Sequence, residues 1–269
     1  MENKNDDTQI VQSEVSVNES TERAQINVMI ETAKKYPRVL QRSIDNSIAI
    51  VTMDKEIAES CGYSLPRGNK KIEGPSVHLA RIIAAQYGNL MVESRVTQIT
   101  DKEIVSQGAA YDLENIYGRK VEVRRKITDR NGNRFNDDMI TVTGNAVNAI
   151  SFRNAVFDVI GRNVVEIVYK AAMKAIRTGI KDLSKERNAT FVTFKDEFGV
   201  DKASILTVLK LKRVNEISED DIVTLRGLYQ ALKSGDTSVE DTFGKVVDNA
   251  DTGKSKEDAK LFDKDGEIK

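Results

Sequence analysis

"NLMVESRVTQITDKEIVSQGAAYDLENIYGRKVEVRRKIT", residues 89–128, decides the fold. It holds three segments of strand length, "NLMVESRVTQI", "EIVSQGAAYDL" and "RKVEVRRKIT", separated by breaks that carry Asp, Asn or Gly. In the third segment Val121, Val123 and Ile127 share a face with Arg125, while Lys120, Glu122, Arg124 and Lys126 point the other way. That alternation describes a half-buried antiparallel strand with a cationic outer side. "DRNGNR", residues 129–134, adds an Asn-Gly turn, and "DDMITVT", residues 137–143, reads as a fourth strand leading to Gly144.

Helical patterns flank these strands. "PSVHLARIIAAQYG" has Pro75 in its first turn, Ser76 beside it and Gly88 as a C-terminal stop. After the strands come a helix around residues 144–161 and another in "VVEIVYKAAMKAIRTGIKDL". The order helix, β-meander, helix predicts an α+β fold, an antiparallel meander packed with helices on one face. Upstream, "ESTERAQINVMIETAKKY" is a helix capped at Ser20 or Thr21 and stopped before Pro37. "RVLQRSIDNSIAIV" and "DKEIAESCG" follow as helices, and "YSLPRGNKKIEGPS" reads as an exposed basic loop with Arg67, Lys70 and Lys71. Downstream, "FVTFKDEFGV", "DKASILTVLKL" and "SEDDIVTLRGLYQALKSG" form a small C-terminal helical module, with Ser218 and Asp221 as a capping pair. The expected organisation is a disordered acidic tail at 1–20, an α+β core at 21–187, the helical module at 188–244 and a second disordered tail at 245–269.

One residue breaks the pattern of the helix after the meander. With Asn145 at 0° and about 100° per residue, Phe152, Val156, Ala149, Ile160, Ala146, Phe157 and Ile150 form one apolar arc, with Ser151, Asn154 and Asp158 opposite. Arg153 falls inside that arc. A guanidinium placed there must find an anion or reach water. Two anions offer themselves, a phosphate at the helix–sheet junction or the carboxylate of Asp137 or Asp138, and the carboxylate pair is the favoured expectation.

Composition bounds the function. The chain has 269 residues, 31 % charged and 39 % hydrophobic, and no apolar run reaches the roughly 18 residues of a membrane span. Its opening residues lack the cationic and apolar regions of a signal peptide. One cysteine, Cys61, and one histidine, His78, leave no intrachain disulfide and no Cys/His zinc set. A cytoplasmic location in the host or bacterial cell is expected on these grounds. The net charge of −1 hides a segregation: six acids against one lysine in 1–22, ten against six lysines in 236–269, and fifteen Lys/Arg against eight acids in 117–187. Acidic ends around a basic middle suit a core that binds a polyanion.

No phosphate loop, nucleophile elbow or H-E-x-x-H motif is present, and no catalytic residue, metal ligand or cofactor site is assigned. Asp129, Asn131, Gly132 and Asn133 have the glycine too early for an EF-hand. Asp137, with Asp138 or Glu122, is the candidate pair for a metal-dependent nuclease. His78 and Cys61 read as packed residues. What remains is basic. Arg119, Lys120, Arg124 and Lys126 are expected along one strand face, Arg130 and Arg134 on the next turn, Arg153 inside the helix, and Arg162, Lys170 and Lys174 on the helix after it. Such a set forms a groove that tracks phosphates without reading sequence, and Tyr111 and Tyr117 lie where they could stack bases.

"IEGPSVHLARIIAAQYGNLMVESRV", "VSQGAAYDLEN", "KVEVRRKIT" and "RFNDDMITVTGNAVNAISFRNAVFDVI", within about residues 70–180, resemble the phage single-strand annealing proteins, the broad RecT/Erf/Sak class. The C-terminal helical stretch is similar to the module that ends many phage recombination proteins. The resemblance implies single-stranded DNA binding, homo-oligomeric rings or filaments, and ATP-independent strand annealing with no bond chemistry. It also implies that the C-terminal module and acidic tail face a partner, an exonuclease or a single-strand-binding protein. The rival expectation is an oligomeric phage structural or assembly protein that binds no DNA.

Overall fold

The computed structural model describes residues 4–67, 70–129 and 131–244. The protein is α+β. Three strands, β3 (Leu90–Ile99), β4 (Glu103–Asp112) and β5 (Tyr117–Lys126), pair antiparallel in the order β3-β4-β5. The register sets Gly108 between Ser94 and Val121, with an irregularity in β3 between Val96 and Gln98. Helix α5 (Asp137–Ile160) lies across all three strands on one face. Its far side meets α4 (Val77–Tyr87) and α6 (Arg162–Gly179), which pack in turn against α2 (Leu40–Met53). Leu79, Ile83, Val156, Val165, Val168 and Ala172 are the centre of that helical layer.

"DDMITVT" is not a fourth strand; it is the start of α5. Asn136 caps the helix by accepting from the Met139 amide at 2.8 Å, and Asp137 and Asp138 sit in the first turn, where carboxylates suit the helix dipole. Ile140, Gly144 and Val147 then recur at helical spacing against Ile104, Val96 and Ile127 of the sheet layer. Burial of that stripe outweighs the strand preference of Ile140, Thr141, Val142 and Thr143, and both threonine hydroxyls bond back to the carbonyl four residues earlier.

Because α5 lies between two layers, it is apolar on more than one side. Ser151, expected opposite the apolar arc, is fully buried against the sheet. Its hydroxyl lies 2.8 Å from that of Ser106, which also donates to Asn148 at 2.5 Å. Gly108 is where helix and strand touch: a Cβ there would stand 2.1 Å from the Ser151 carbonyl oxygen.

The expected basic loop is a β-hairpin, β1 (Gly62–Arg67) with β2 (Lys70–Pro75), in which Leu65 faces Ile72 across the strands. Ser76 caps α4 through the Leu79 amide, so Pro75 ends β2 and does not enter the helix. Helix α1 (Lys4–Lys35) begins far upstream of the Ser20/Thr21 cap and runs through residues expected to be disordered. Between α1 and α2, Arg38 pins the chain to the end of β4. Its guanidinium pairs with both oxygens of Asp112, bonds Glu114 at 2.9 Å and lies 4.0 Å from the Tyr87 ring centre. Burial opposes ionisation of Asp112, but bonds from Arg38 and Asn115 outweigh it and hold the carboxyl below the usual range.

The helical module comprises α7 (Leu183–Phe198), α8 (Lys202–Leu209), α9 (Glu219–Lys233) and α10 (Val239–Phe243) around Phe194, Ile205, Ile217, Ile222, Leu225 and Leu228. Ser218 and Asp221 form the capping box at the start of α9. Helix α7 is under way at Leu183, so a boundary at 187/188 falls inside it. Arginine contacts join module to core. Arg226 of α9 meets Glu59 of α3 (Lys55–Ser60) at 3.1 Å and Glu186 at 2.6 Å, and Arg125 donates to the carbonyls of Gly235 and Asp236. The expected tail at 245–269 lies outside the described residues. Among the described residues no helix is long and apolar enough to cross a membrane.

Candidate nucleic-acid interface

The ten basic residues singled out in the sequence do not share one groove. Parity divides β5: Lys120, Arg124 and Lys126 point away from α5, whereas Arg119 points to the helix side, 3.8 Å from Asp158 of α5. The placement of Arg119 with the outer set is therefore corrected. Arg134 lies on the turn after β5, bridged to Thr128, and its guanidinium bonds the Thr100 carbonyl. Arg130 lies outside the described residues. Arg162, Lys170 and Lys174 are exposed on α6, which packs against α2 and α3 in the far helical layer; Arg162 and Lys170 both pair with Glu166, at 2.6 and 3.7 Å.

Arg153 meets a carboxylate other than the two expected. Its side chain is 12 % exposed, lies 4.8 Å from the Tyr63 ring centre and pairs with Asp236 at 3.9 Å. The pairing with Asp137 or Asp138 is overturned, since those carboxylates begin α5 some four turns from Arg153. The partner comes instead from the loop after α9, more than eighty residues along the chain. Arg153 is a structural tie between α5, the hairpin and the C-terminal module.

Among the described residues, two surfaces beside the sheet and the hairpin collect cations. The first is a cleft of about 490 Å³ among the hairpin, α6 and α9, with Tyr63, Tyr169 and Met173 in its lining. Burial pushes the Tyr169 phenol up to about 12. Most cations of the cleft already hold acids: Lys71 pairs with Glu73 at 2.7 Å, Arg177 with Asp220 at 3.0 Å, and Arg226 with Glu59 and Glu186. Little of their charge is left for a polyanion.

The second surface is the face of the sheet turned away from α5, on which no helix among the described residues makes an extensive contact. Arg95 of β3 and Lys120, Arg124 and Lys126 of β5 stand on it, over a floor of Val105, Gln107 and Ala109 from β4. Three carboxylates share the face, Glu93, Glu103 and Glu122, and Arg124 engages two of them, Glu122 at 2.7 Å and Glu103 at 3.6 Å. Arg95, Lys120 and Lys126 have no ion pair among the described residues, so three available cations face one remaining carboxylate, Glu93. Arg95 was legible in the sequence through the alternation of "VESRV", which puts Glu93 and Arg95 on one side.

Other candidates fall into place by packing. Cys61 is fully buried and its thiol is pushed up to about 12, so it stays protonated. Partial burial, then Arg81 and Lys233, hold His78 below the usual imidazole range. Asp137 and Glu122 do not meet, because α5 and Glu122 lie on opposite faces of the sheet. Among the described residues no three His, Cys, Asp or Glu side chains gather to hold a metal ion. Tyr117 is 49 % exposed, and Tyr111 lies over Gly118 across the strand pair. Comparison with family models, curated proteins and solved structures finds no match to this chain.

Proposed function

We propose that this chain binds single-stranded DNA and anneals complementary strands without ATP, as a phage-type recombination protein that acts as a homo-oligomer. The open sheet face carries this reading: Arg95, Lys120 and Lys126 project from the edge strands over a low floor of Val105, Gln107 and Ala109, with no extensive helix contact above them among the described residues. A surface of that kind neutralises phosphates along a flexible strand and leaves bases outward for pairing. Annealing needs charge neutralisation and strand presentation, so the reading requires neither a cofactor nor a catalytic group. In it the helical module faces partner proteins, an exonuclease or a single-strand-binding protein, in the cytoplasm. The test mixes two complementary oligonucleotides, one carrying a dye and one a quencher, across a salt series without ATP or metal. Pairing faster than the protein-free control, fading with salt, is expected. Lys120→Ala with Lys126→Ala lowers the slope of log affinity against log salt by about 1.4, at about 0.7 per phosphate contact on single strands. No binding at low salt refutes the reading and leaves the assembly role.

A further inference from the structure

One end of the sheet's open face is apolar. Ile26 and Ile30 of α1 and Met91 and Tyr111 of the open face line a cleft of about 500 Å³, with Ile116 and Tyr117 beside it at the β4–β5 turn. Met91 faces Tyr111 in the β3–β4 register, and Tyr111 lies across Gly118, where a Cβ would stand 2.3 Å from its ring. One carboxylate, Asp112, also lines the cleft, and it and the neighbouring Glu114 are both paired with Arg38.

Two features mark this cleft as built for an occupant. Ile116 is 73 % exposed, among the most exposed large apolar side chains. It also holds φ at +52°, the left-handed region that a β-branched residue rarely enters. A strained, apolar, exposed hairpin tip is costly to keep, and such strain gathers where a ligand is gripped. The cleft is also continuous with the cationic face. Lys120 lies two residues from Gly118 on the same strand and face, about 7 Å away at the usual strand rise.

We propose that this cleft takes one unpaired nucleobase from the strand lying along the cationic face, stacked on the Tyr111 ring that stands on that face, with Ile116 beside it. The inference rests on the single-stranded DNA reading above. A lining of Ile, Leu, Met and Tyr side chains, whose one carboxylate is held by Arg38, has no grip on a phosphate, whereas every base offers a π-face to Tyr111, so the contact tolerates any sequence.

The test measures binding by anisotropy of two dye-labelled 30-mers, oligo-dT and an abasic deoxyribose-phosphate chain, to wild type, Ile116→Asn and Tyr111→Ser. Asparagine accepts the left-handed backbone, so the first variant removes apolar contact without adding strain. Wild type is expected to prefer dT, and each variant to lose about tenfold for dT and nothing for the abasic chain, with the salt slope unchanged. Wild-type affinity for dT in both variants, or equal losses on both chains, overturns the proposal. So does a smaller oligomer by light scattering with the dT preference intact, which assigns the cleft to contact between copies. Wild type that binds neither chain at low salt refutes the DNA reading itself.

Discussion

Gly108→Ala is the sharpest test of how helix α5 sits on the sheet. The added Cβ would stand 2.1 Å from the Ser151 carbonyl oxygen, 2.4 Å from its carbon and 2.9 Å from the Phe152 amide nitrogen. Ordinary contact begins near 3.4 Å, so the helix must lift by about 1.3 Å, and its backbone cannot swing aside as a side chain would. Overpacking of a rigid site costs up to about 3 kcal/mol. Lifting α5 also strains the buried Ser106 bonds to Ser151 and Asn148, at about 0.5–1.5 kcal/mol each. The expected loss is about 4 kcal/mol, read as a lower urea midpoint by circular dichroism and a fall in Tm of about 8–16 °C. A loss under about 1 kcal/mol refutes the packing of α5 against β4 and the register that places Gly108 under Ser151.

Two further outcomes follow from the ion pairs. Arg153→Met is expected to cost about 1–2 kcal/mol, because it removes the contact with Tyr63 and leaves Asp236 without its guanidinium, whereas Lys126→Ala leaves Tm unchanged and weakens DNA binding. Equal Tm losses for both sink that division between structural and binding cations. Asp112, Glu114 and Glu186 are each held below the usual carboxylate range: bonds from Arg38 and Asn115 at Asp112, from Asn89 and Arg38 at Glu114, and from Lys55 and Arg226 at Glu186 outweigh burial. The unfolded chain then binds more protons, so their stabilisation is complete above the ordinary carboxylate pKa of about 4 and is lost as pH falls through the lower folded values. Urea midpoints that fall between pH 6 and pH 3 in wild type, and fall less in Arg38→Met, are expected; identical pH dependence in the two proteins contradicts the role of Arg38.

The three meander strands, the cap at Ser218 and the cationic parity of β5 were legible because each is written in neighbouring residues. A period of two, a side chain three residues from an amide and a glycine stop need no knowledge of distant chain. The start of α5, the β1–β2 hairpin and the partner of Arg153 were not. "DDMITVT" alternates like a strand, and it is helical because Ile140, Gly144 and Val147 find Ile104 and Val96 beneath them. "YSLPRGNKKIEGPS" looks like a loop until α9 covers β1, with Gly227 close against Ser64. Arg153 pairs with Asp236, and nothing near either residue announces the other. The sequence by itself determined the α+β class and the strand that carries the exposed cations, since local periodicity encodes both. Tertiary packing decided which cations stay available, because charge is neutralised by neighbours in space, and those neighbours come from segments far apart along the chain.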